Sequence, residues 1–316
     1  MAYSDFLEAY AKLKSVSVTE LEEMAKTQSA IKYVLSNRTR GAEYIERIKK
    51  LYTKPLKGAS VIDIGCAYGG ICIELAKAGA KTVGIDVITS YINLARSNAS
   101  GEVSSEFFLG DFTNKKTLQM FAGRKFDVFI VNHVLEHIYD TVSLLENISA
   151  LASDDAIIVF DFPNGQSIQS VRAEGHTGYF AASLVAPDCW YMFNPHNRAR
   201  IYYRKWKYFT SLFEDFGFGT VIRAMPTPPK DRRAALLAFI EEIDEKRLTV
   251  KDDIKPITNE VILQHIEEIR FDLENADDKE LDSKHFSYFW KGAAAKRKDL
   301  IPEKALIRLE ESDWGN

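Results

Sequence analysis

The chain has 316 residues, a formal net charge of −4, 46% apolar residues and 27% charged residues. This length and apolar content suit one large or two ordinary globular domains, and the slightly acidic balance argues against a general nucleic-acid binder. With three cysteines, no stretch near the ~20 apolar residues of a membrane span and no signal-peptide pattern, we expect a soluble, cytoplasmic protein without a disulfide framework.

The N-terminal part of the chain favours helices. Leu21 and Ile31 belong to a set of apolar residues with the spacing of one helix face rather than the alternation of a strand. The predicted helices cover residues 5–13, 19–35 and 40–51. Ser17 or Thr19 is the expected cap of the second helix. We therefore expect residues 1–53 to form a helical lid that precedes the first strand.

A glycine-rich bend follows the first predicted strand. The apolar run 59–64 leads into the bend 65–70, and the amphipathic segment 71–80 follows directly. Gly65 and Gly69 allow the backbone to turn sharply and to approach a ligand closely, because neither has a Cβ atom. The free N–H groups of the following helix point towards anything bound on the bend.

The residues of this bend restrict which ligand it suits. Ala67 stands where the dinucleotide fingerprint has its middle glycine, and no lysine follows as in a phosphate-binding P-loop. Asp63, just before the bend, would repel a pyrophosphate but attract a cation or an amino group. A nicotinamide oxidoreductase is therefore disfavoured.

Three further predicted strands also end in polar or aromatic residues. They cover residues 81–85, 105–109 and 126–131, and they end at Asp86, at Asp111 with Phe112, and at Asn132 with His133. The carboxyl ends of parallel strands meet at one edge of an open α/β sheet, where ligands bind. An acid about 20 residues beyond the glycine bend, such as Asp86, is the position that contacts ribose hydroxyls.

The second half of the chain contains one more strand and several helices. The predicted elements are a strand at 156–161, a long aromatic connection at 166–200, a helical segment at 201–213, a strand beginning at 221, and helices at 232–247 and 258–274. We expect residues 223–316 to form a mainly helical extension that caps the substrate or forms an oligomer. The aromatic stretch 284–291 is expected to close over a substrate, to pack against another subunit or to fill the small core of the extension, and 293–297 to be a solvated helix end.

These motifs resemble those of the class I, Rossmann-like S-adenosylmethionine-dependent methyltransferases over residues 40–222. The resemblance implies an α/β fold with a doubly wound, mostly parallel seven-stranded sheet, N-terminal helices and a helical C-terminal extension. It also implies that residues 54–222 form the catalytic core and bind S-adenosylmethionine. Carried over from the family, the residues near its methionine end are Asp63, Gly65, Cys66, Ala67, Gly69 and Asn132, those near its ribose are Asp86 and Val87, and those near its adenine are Asp111 and Phe112.

Methyl transfer to a hydroxyl requires a general base, which is most often a histidine or a carboxylate. The candidates on or near the predicted ligand edge are His196, His137 and His133. The candidate substrate-binding residues are His176, Tyr179 and Arg200. We expect a small polar acceptor, such as a sugar or a glycan precursor. A protein side chain is an alternative acceptor, and a non-catalytic protein that binds a partner through its C-terminal helices is an alternative function.

One motif has a competing interpretation. His133, Glu136 and His137 match the His-x-x-Glu-His pattern of inverted zinc peptidases. The motif occurs where a methyltransferase motif is expected, so we predict no metal and no peptidase. A divalent ion held by these three side chains is the alternative. The remaining expectations are no nucleic-acid partner and a homo-oligomer formed through the C-terminal helices.

Overall fold

The computed structural model describes residues 2–193, 200–251, 254–306 and 309–310. The helices before the first strand are α1 (Ala2–Lys14), α2 (Val18–Thr27), α3 (Ser29–Leu35) and α4 (Asn37–Leu51). Ser17 caps α2 as predicted, because its side chain accepts a hydrogen bond from Glu20 N and Glu20 bonds back to the Ser17 backbone. The single helix expected over 19–35 is interrupted, since Gln28 adopts an extended conformation between α2 and α3.

The sheet confirms the predicted doubly wound, seven-stranded architecture. Its strands are β1 (Ser60–Ile64), β2 (Lys81–Asp86), β3 (Ser105–Leu109), β4 (Phe126–Asn132), β5 (Ala152–Pro163), β6 (Thr220–Met225) and β7 (Phe289–Ala295). Their order is β3-β2-β1-β4-β5-β7-β6, and a two-residue strand, β8 (Leu309–Glu310), continues the sheet beyond β6. Strands β1 to β5 are parallel to one another, whereas β7 runs antiparallel to β5 and β6.

Helices cover both faces of the sheet. The remaining helices are α5 (Gly70–Lys77), α6 (Thr89–Ala99), α7 (Lys115–Leu118), α8 (Thr141–Leu151), α9 (Ile168–Arg172), α10 (Trp206–Asp215), α11 (Arg232–Arg247), α12 (Lys255–Asn275), α13 (Asp278–Leu281) and α14 (Glu303–Leu306). Because successive strand residues point to opposite faces, Phe129 and Phe160 pack with α8 and α10, whereas Val128 and Val159 pack with α4. No helix within the described residues is both long and apolar enough to cross a membrane.

The C-terminal extension contributes both helices and a strand. Its helices α11 and α12 lie close to the predicted segments and pack on each other through a core that includes Phe239 and Ile266. The prediction of a solvated helix end at 293–297 is wrong, because Ala293, Ala294 and Ala295 are fully buried in β7. Alanine favours helices intrinsically, but tertiary packing overrides this weak preference. The sheet therefore includes chain from beyond the expected boundary at residue 222.

Strand β7 fits between its neighbours because of a glycine. A Cβ atom on Gly292 would overlap the carbonyl oxygen of Ile222 and would stand 2.6 Å from the Phe160 ring. Strand β7 pairs with β5 on one side and with β6 on the other, so neither neighbour is able to move away freely. The position consequently excludes any side chain.

We predict that Gly292→Ala lowers the free energy of unfolding by about 1–3 kcal/mol, the usual cost of inserting atoms into a packed core. The matched control is Gly219→Ala, where a Cβ atom would meet nothing within 4 Å. Urea denaturation of both variants measures the difference. Equal midpoints for the two variants would contradict the packing described for β7.

Candidate active site

The bend after β1 is held by backbone hydrogen bonds to β2. Gly65 N and Cys66 N both donate to Ile85 O, at 2.8 and 3.1 Å. Gly65 has φ = +76°, and a Cβ atom there would overlap the side chain of Val134. Ala67, at φ = +44°, donates its N–H to Asp86 Oδ2 at 3.0 Å. The bend and the end of β2 therefore form one rigid unit.

Helix α4 of the lid packs closely against the start of α5, where the bend ends. A Cβ atom on Gly41 in α4 would overlap the carbonyl oxygen of Gly70, and one on Gly70 would overlap that of Asn37. The backbones of α4 and α5 therefore approach each other as closely as two glycines permit. This contact brings the side chains of α4 over the glycine bend.

A cavity of about 300 Å³ lies between the lid and the carboxyl ends of β1 and β4. It is lined by Tyr33, Asn37, Arg40, Glu43, Tyr44 and Arg47 from the lid, by Asp63, Gly65, Cys66, Ala67, Tyr68, Gly70 and Ile71 from the bend, and by Asn132, His133, Asp161, Phe289 and Lys291 from the sheet edge. Six of the residues predicted for the site, Asp63, Gly65, Cys66, Ala67, Asn132 and His133, are therefore brought together. Asp86 adjoins the cavity through its bond to Ala67.

Two carboxyl groups dominate the electrostatics of the bend. Asp63 is 2% exposed, and burial, with a smaller contribution from Asp86, raises its pKa to about 8. The Cys72 thiol lies 3.9 Å from Asp63 Oδ2 and donates weakly to it. Burial also raises the pKa of Asp86, although the N–H groups of Ile88 and Ala67 oppose the shift. The site consequently favours a positively charged ligand beside Asp63.

An ion pair between the lid and the sheet was not predicted from the sequence. Arg47 Nη1 lies 3.0 Å from Asp161 Oδ2, and both side chains are buried. The two residues are 114 positions apart, so no local pattern connects them. The sequence signal that could have indicated it is Arg47 itself, a charged residue on the apolar face of α4.

His133 occupies a strained position between two carboxylates. It has φ = +53°, and its N–H donates to Asp161 O at 2.7 Å. Its Nδ1 lies 3.6 Å from Glu136 Oε1 and its Nε2 lies 3.9 Å from Asp161 Oδ1. Burial lowers the pKa of His133, but Asp161 and Glu136 outweigh burial and leave the pKa raised. The imidazole is therefore placed to hold a proton at the cavity wall.

His137 and His176 meet beside this wall rather than in it. Their ring centroids are 5.1 Å apart. Burial lowers the pKa of His137, and the opposing effect of Glu136 is smaller. His176 Nδ1 lies 2.8 Å from Glu174 Oε1. Burial raises the pKa of Glu174, but hydrogen bonds from His176, Tyr203 and Thr177 outweigh it and hold the pKa at about 2.

The other predicted residues lie outside this cavity lining. Asp111 is exposed and accepts the Thr113 N–H at 2.9 Å within a turn, while the buried Phe112 ring packs against Phe121. Gly69 forms the left-handed cap of α5, and Val87 is 62% exposed at the end of β2. Tyr179 is exposed, and Arg200 pairs with Asp188 at 2.9 Å. His196 lies outside the described residues.

The aromatic stretch 284–291 contributes side chains both to the sheet core and to the cavity wall. Trp290 is buried in the core shared by the sheet and α10. Phe289 and Lys291, on either side of it, line the cavity. The alternation along β7 explains both, because neighbouring residues of a strand face opposite sides.

A family model described as "Methyltransferase domain" matches residues 36–222 of this chain. The ubiquinone biosynthesis O-methyltransferase of Actinobacillus pleuropneumoniae serotype 7 (strain AP76) is 34% identical over 113 residues, which are 34% of this chain and 47% of that protein. The mitochondrial ubiquinone biosynthesis O-methyltransferase of Arabidopsis thaliana is 31% identical over 136 residues, 43% of this chain and 38% of that protein. The chain thus spans less than half the length of these curated relatives.

Solved structures are similar at lower identity. The S-adenosylmethionine-dependent methyltransferase from Archaeoglobus fulgidus is 17% identical with a TM-score of 0.47, covering 83% of this chain and 95% of that one. The magnesium protoporphyrin IX methyltransferase from Synechocystis PCC 6803 with bound SAH is 21% identical with a TM-score of 0.43, covering 61% of this chain and 80% of that one.

The Asp63 carboxyl predicts a pH-dependent effect of Asp63→Asn on stability. A carboxyl group whose pKa rises on folding stabilises the folded protein below its unfolded pKa of 3.8, and that stabilisation is lost as the pH rises to about 8. The neutral asparagine does not lose it. We therefore expect Asp63→Asn to gain stability over the wild type, on the order of 5 kcal/mol at pH 8 and less than about 1 kcal/mol at pH 4.

Urea denaturation at both pH values measures this gain. The difference between variant and wild type at pH 4 is the internal control, since the folded states of both carry a neutral side chain there. A gain of the same size at both pH values would contradict the burial of an ionisable Asp63.

Proposed function

The chain belongs to the methyltransferase-domain family, and we propose that it transfers the methyl group of S-adenosylmethionine to a hydroxyl of a small polar acceptor, such as a sugar or a glycan precursor. The matching relatives are named as O-methyltransferases, which supports an oxygen acceptor. The observation that carries the proposal is that Asp63, the glycine bend and His133 line the same cavity.

The residues around the cavity fit the charged end of this cofactor. Asp63 would pair with its α-ammonium group, which would neutralise a carboxyl group buried beside a weakly donating thiol. Arg40 stacks on the Tyr33 ring at 3.4 Å, and among the described residues its buried Nε has no hydrogen-bond partner. Its guanidinium would donate charged hydrogen bonds to the cofactor's carboxylate.

The nucleoside end fits the edge formed by β2 and β3. Asp86 keeps both carboxylate oxygens oriented by the N–H groups of Ala67 and Ile88, at 3.0 and 2.9 Å, and would accept the ribose hydroxyls. Val87 and Leu109 expose apolar side chains at the same strand ends. An adenine ring would cover this surface, with Asp111 and the Phe112 backbone at its edge.

When bound, S-adenosylmethionine supplies a methyl group activated by its sulfonium. The protein supplies position and exclusion of water. The lid closes the cavity from above through Arg40 and Tyr44, while Phe289 and Ile71 provide apolar walls. In this proposal the acceptor approaches from the side where His133 lies.

His133 is the general base in this proposal. It lines the cavity, whereas His137 and His176 do not. When its imidazole takes the acceptor's hydroxyl proton, the resulting cation lies between the carboxylates of Asp161 and Glu136. Because both carboxylates stabilise the protonated ring, removal of the proton from the acceptor becomes more favourable.

Cofactor binding is tested by calorimetric titration with S-adenosylhomocysteine. We expect micromolar affinity for the wild type and a loss of about tenfold to a hundredfold for Asp86→Ala, since a hydrogen bond to a charged group contributes about 1.5–3 kcal/mol. Asp86→Asn, which keeps an acceptor for the Ala67 N–H, is the control for an intact bend. Absence of binding by the folded wild type would contradict the proposed function.

Catalysis is tested with methyl-labelled S-adenosylmethionine and a panel of nucleotide sugars, glycosides and phenols. We expect His133→Gln to lower kcat by about 10²- to 10⁴-fold, the usual contribution of a general base, with little change in S-adenosylhomocysteine affinity. An unchanged kcat would eliminate His133 as the base. Cofactor binding without turnover on any acceptor would instead favour a non-catalytic binding protein.

A further inference from the structure

Glu136 is a buried carboxylate that nothing in the proposed mechanism fully satisfies. It is 3% exposed and lies in the turn after β4. Among the described residues, neither of its side-chain oxygens has a hydrogen-bond partner. His133 Nδ1 lies 3.6 Å and His137 Nε2 lies 4.0 Å from Oε1, beyond normal hydrogen-bond length. Burying such a group without compensation is costly, so the site calls for a cation.

Two histidines converge on this carboxylate from separate parts of the chain. His137 follows Glu136 in the same turn, and His176 comes from the long connection after β5. One ligand atom from each of Glu136, His137 and His176 lies within 4.8 Å of the other two. A small closure would bring these three atoms around a single ion.

His176 is held in the orientation of a metal ligand. Its Nδ1 lies 2.8 Å from Glu174 Oε1, so that Nδ1–H donates to the carboxylate and the lone pair of Nε2 is left for another partner. Glu174 is itself fixed by Tyr203 Oη and by the N–H of Thr177, the latter at 2.7 Å. A carboxylate that orients the far nitrogen of a histidine is the usual support of a histidine ligand in metal sites.

We propose that Glu136, His137 and His176 bind a divalent transition-metal ion. Two imidazoles and one carboxylate favour Zn²⁺ and its first-row neighbours over Mg²⁺ or Ca²⁺, which prefer oxygen ligands. The sequence alone predicted no metal, and the set differs from the alternative that its motif offered, because His133 faces the cavity and His176 replaces it. Three protein ligands leave at least one coordination position open.

The ion would act on His133 rather than on the acceptor itself, because its three ligands lie outside the cavity lining. Glu136 Oε1 lies 3.6 Å from Nδ1 of His133, which does line the cavity. A carboxylate held by the ion would keep a fixed position beside the imidazole that takes the acceptor's proton. This role rests on the proposed function, whereas metal binding itself does not.

Metal binding is tested by equilibrium dialysis of EDTA-treated protein against Zn²⁺ and, separately, Mg²⁺. We expect one equivalent of Zn²⁺, and affinity weakened at least about tenfold by His176→Ala and by Glu136→Gln. Cys189→Ser, which removes the half-buried cysteine, is the control for adventitious binding and should leave the Zn²⁺ affinity unchanged. Equal affinities for wild type and both ligand variants, or loss confined to Cys189→Ser, would overturn the proposal.

Thermal unfolding gives a second readout that does not depend on activity. Excess Zn²⁺ should raise the melting temperature of the wild type above its value in EDTA, since the ion stabilises the folded protein that binds it. Glu136→Gln should show a much smaller rise, because it lacks the carboxylate ligand. Equal rises in the two proteins would contradict a cation at Glu136.

The two proposals fail separately. His176→Ala should keep the wild-type affinity for S-adenosylhomocysteine while losing Zn²⁺. Zn²⁺ binding in a protein that does not bind S-adenosylhomocysteine would leave the metal site standing and the methyltransferase function refuted. Cofactor binding with no specific Zn²⁺ site would refute the metal site and leave the methyltransferase function standing.

Discussion

A buried ion pair between Arg47 and Asp161 joins the lid to the sheet, and the shape of the site depends on it. The two atoms are 3.0 Å apart, with α4 on one side and β5 on the other. The Asp161 carbonyl also accepts the N–H of His133, and Asp161 stands opposite Lys291 in the pairing of β5 with β7. A buried pair is stable only when its geometry is good, and loss of one partner leaves an uncompensated charge that costs about 3–5 kcal/mol. One residue, Asp161, thereby connects the lid, His133 and β7.

The features near the ends of the parallel strands were predictable from the sequence. Asp63, Asp86 and Asn132 follow short apolar runs, and parallel strands bring such ends to one edge without any knowledge of long-range packing. The bend was equally readable, since Gly65 adopts a conformation that favours glycine. Local chemistry decided these positions.

The features that the sequence did not predict depend on contacts between distant residues. The pair of Arg47 with Asp161 and the hydrogen bond from Tyr203 to Glu174, which in turn holds His176, each join elements that no periodicity relates. The prediction for β7 fails because its alanines favour a helix in isolation, whereas their pairing with β5 and β6 holds them in a strand. The His-x-x-Glu-His motif after β4 was visible in the sequence. The sequence did not show that His133 lines the cavity while Glu136 and His137 lie beside His176, because His176 comes from a distant part of the chain.

The placement of β7 determines when the sheet is completed during protein synthesis. During synthesis β1 to β6 emerge first, and domains tend to fold from the N-terminus as the chain leaves the ribosome. Strand β6 then has no neighbour to pair with until Phe289–Ala295 arrives, since β7 separates it from β5. Phe289 and Lys291, which complete the cavity wall, arrive with that strand. The edge of β5 that pairs with β7 therefore stays open until both long C-terminal helices have been translated, and an open edge is a template for pairing with another chain.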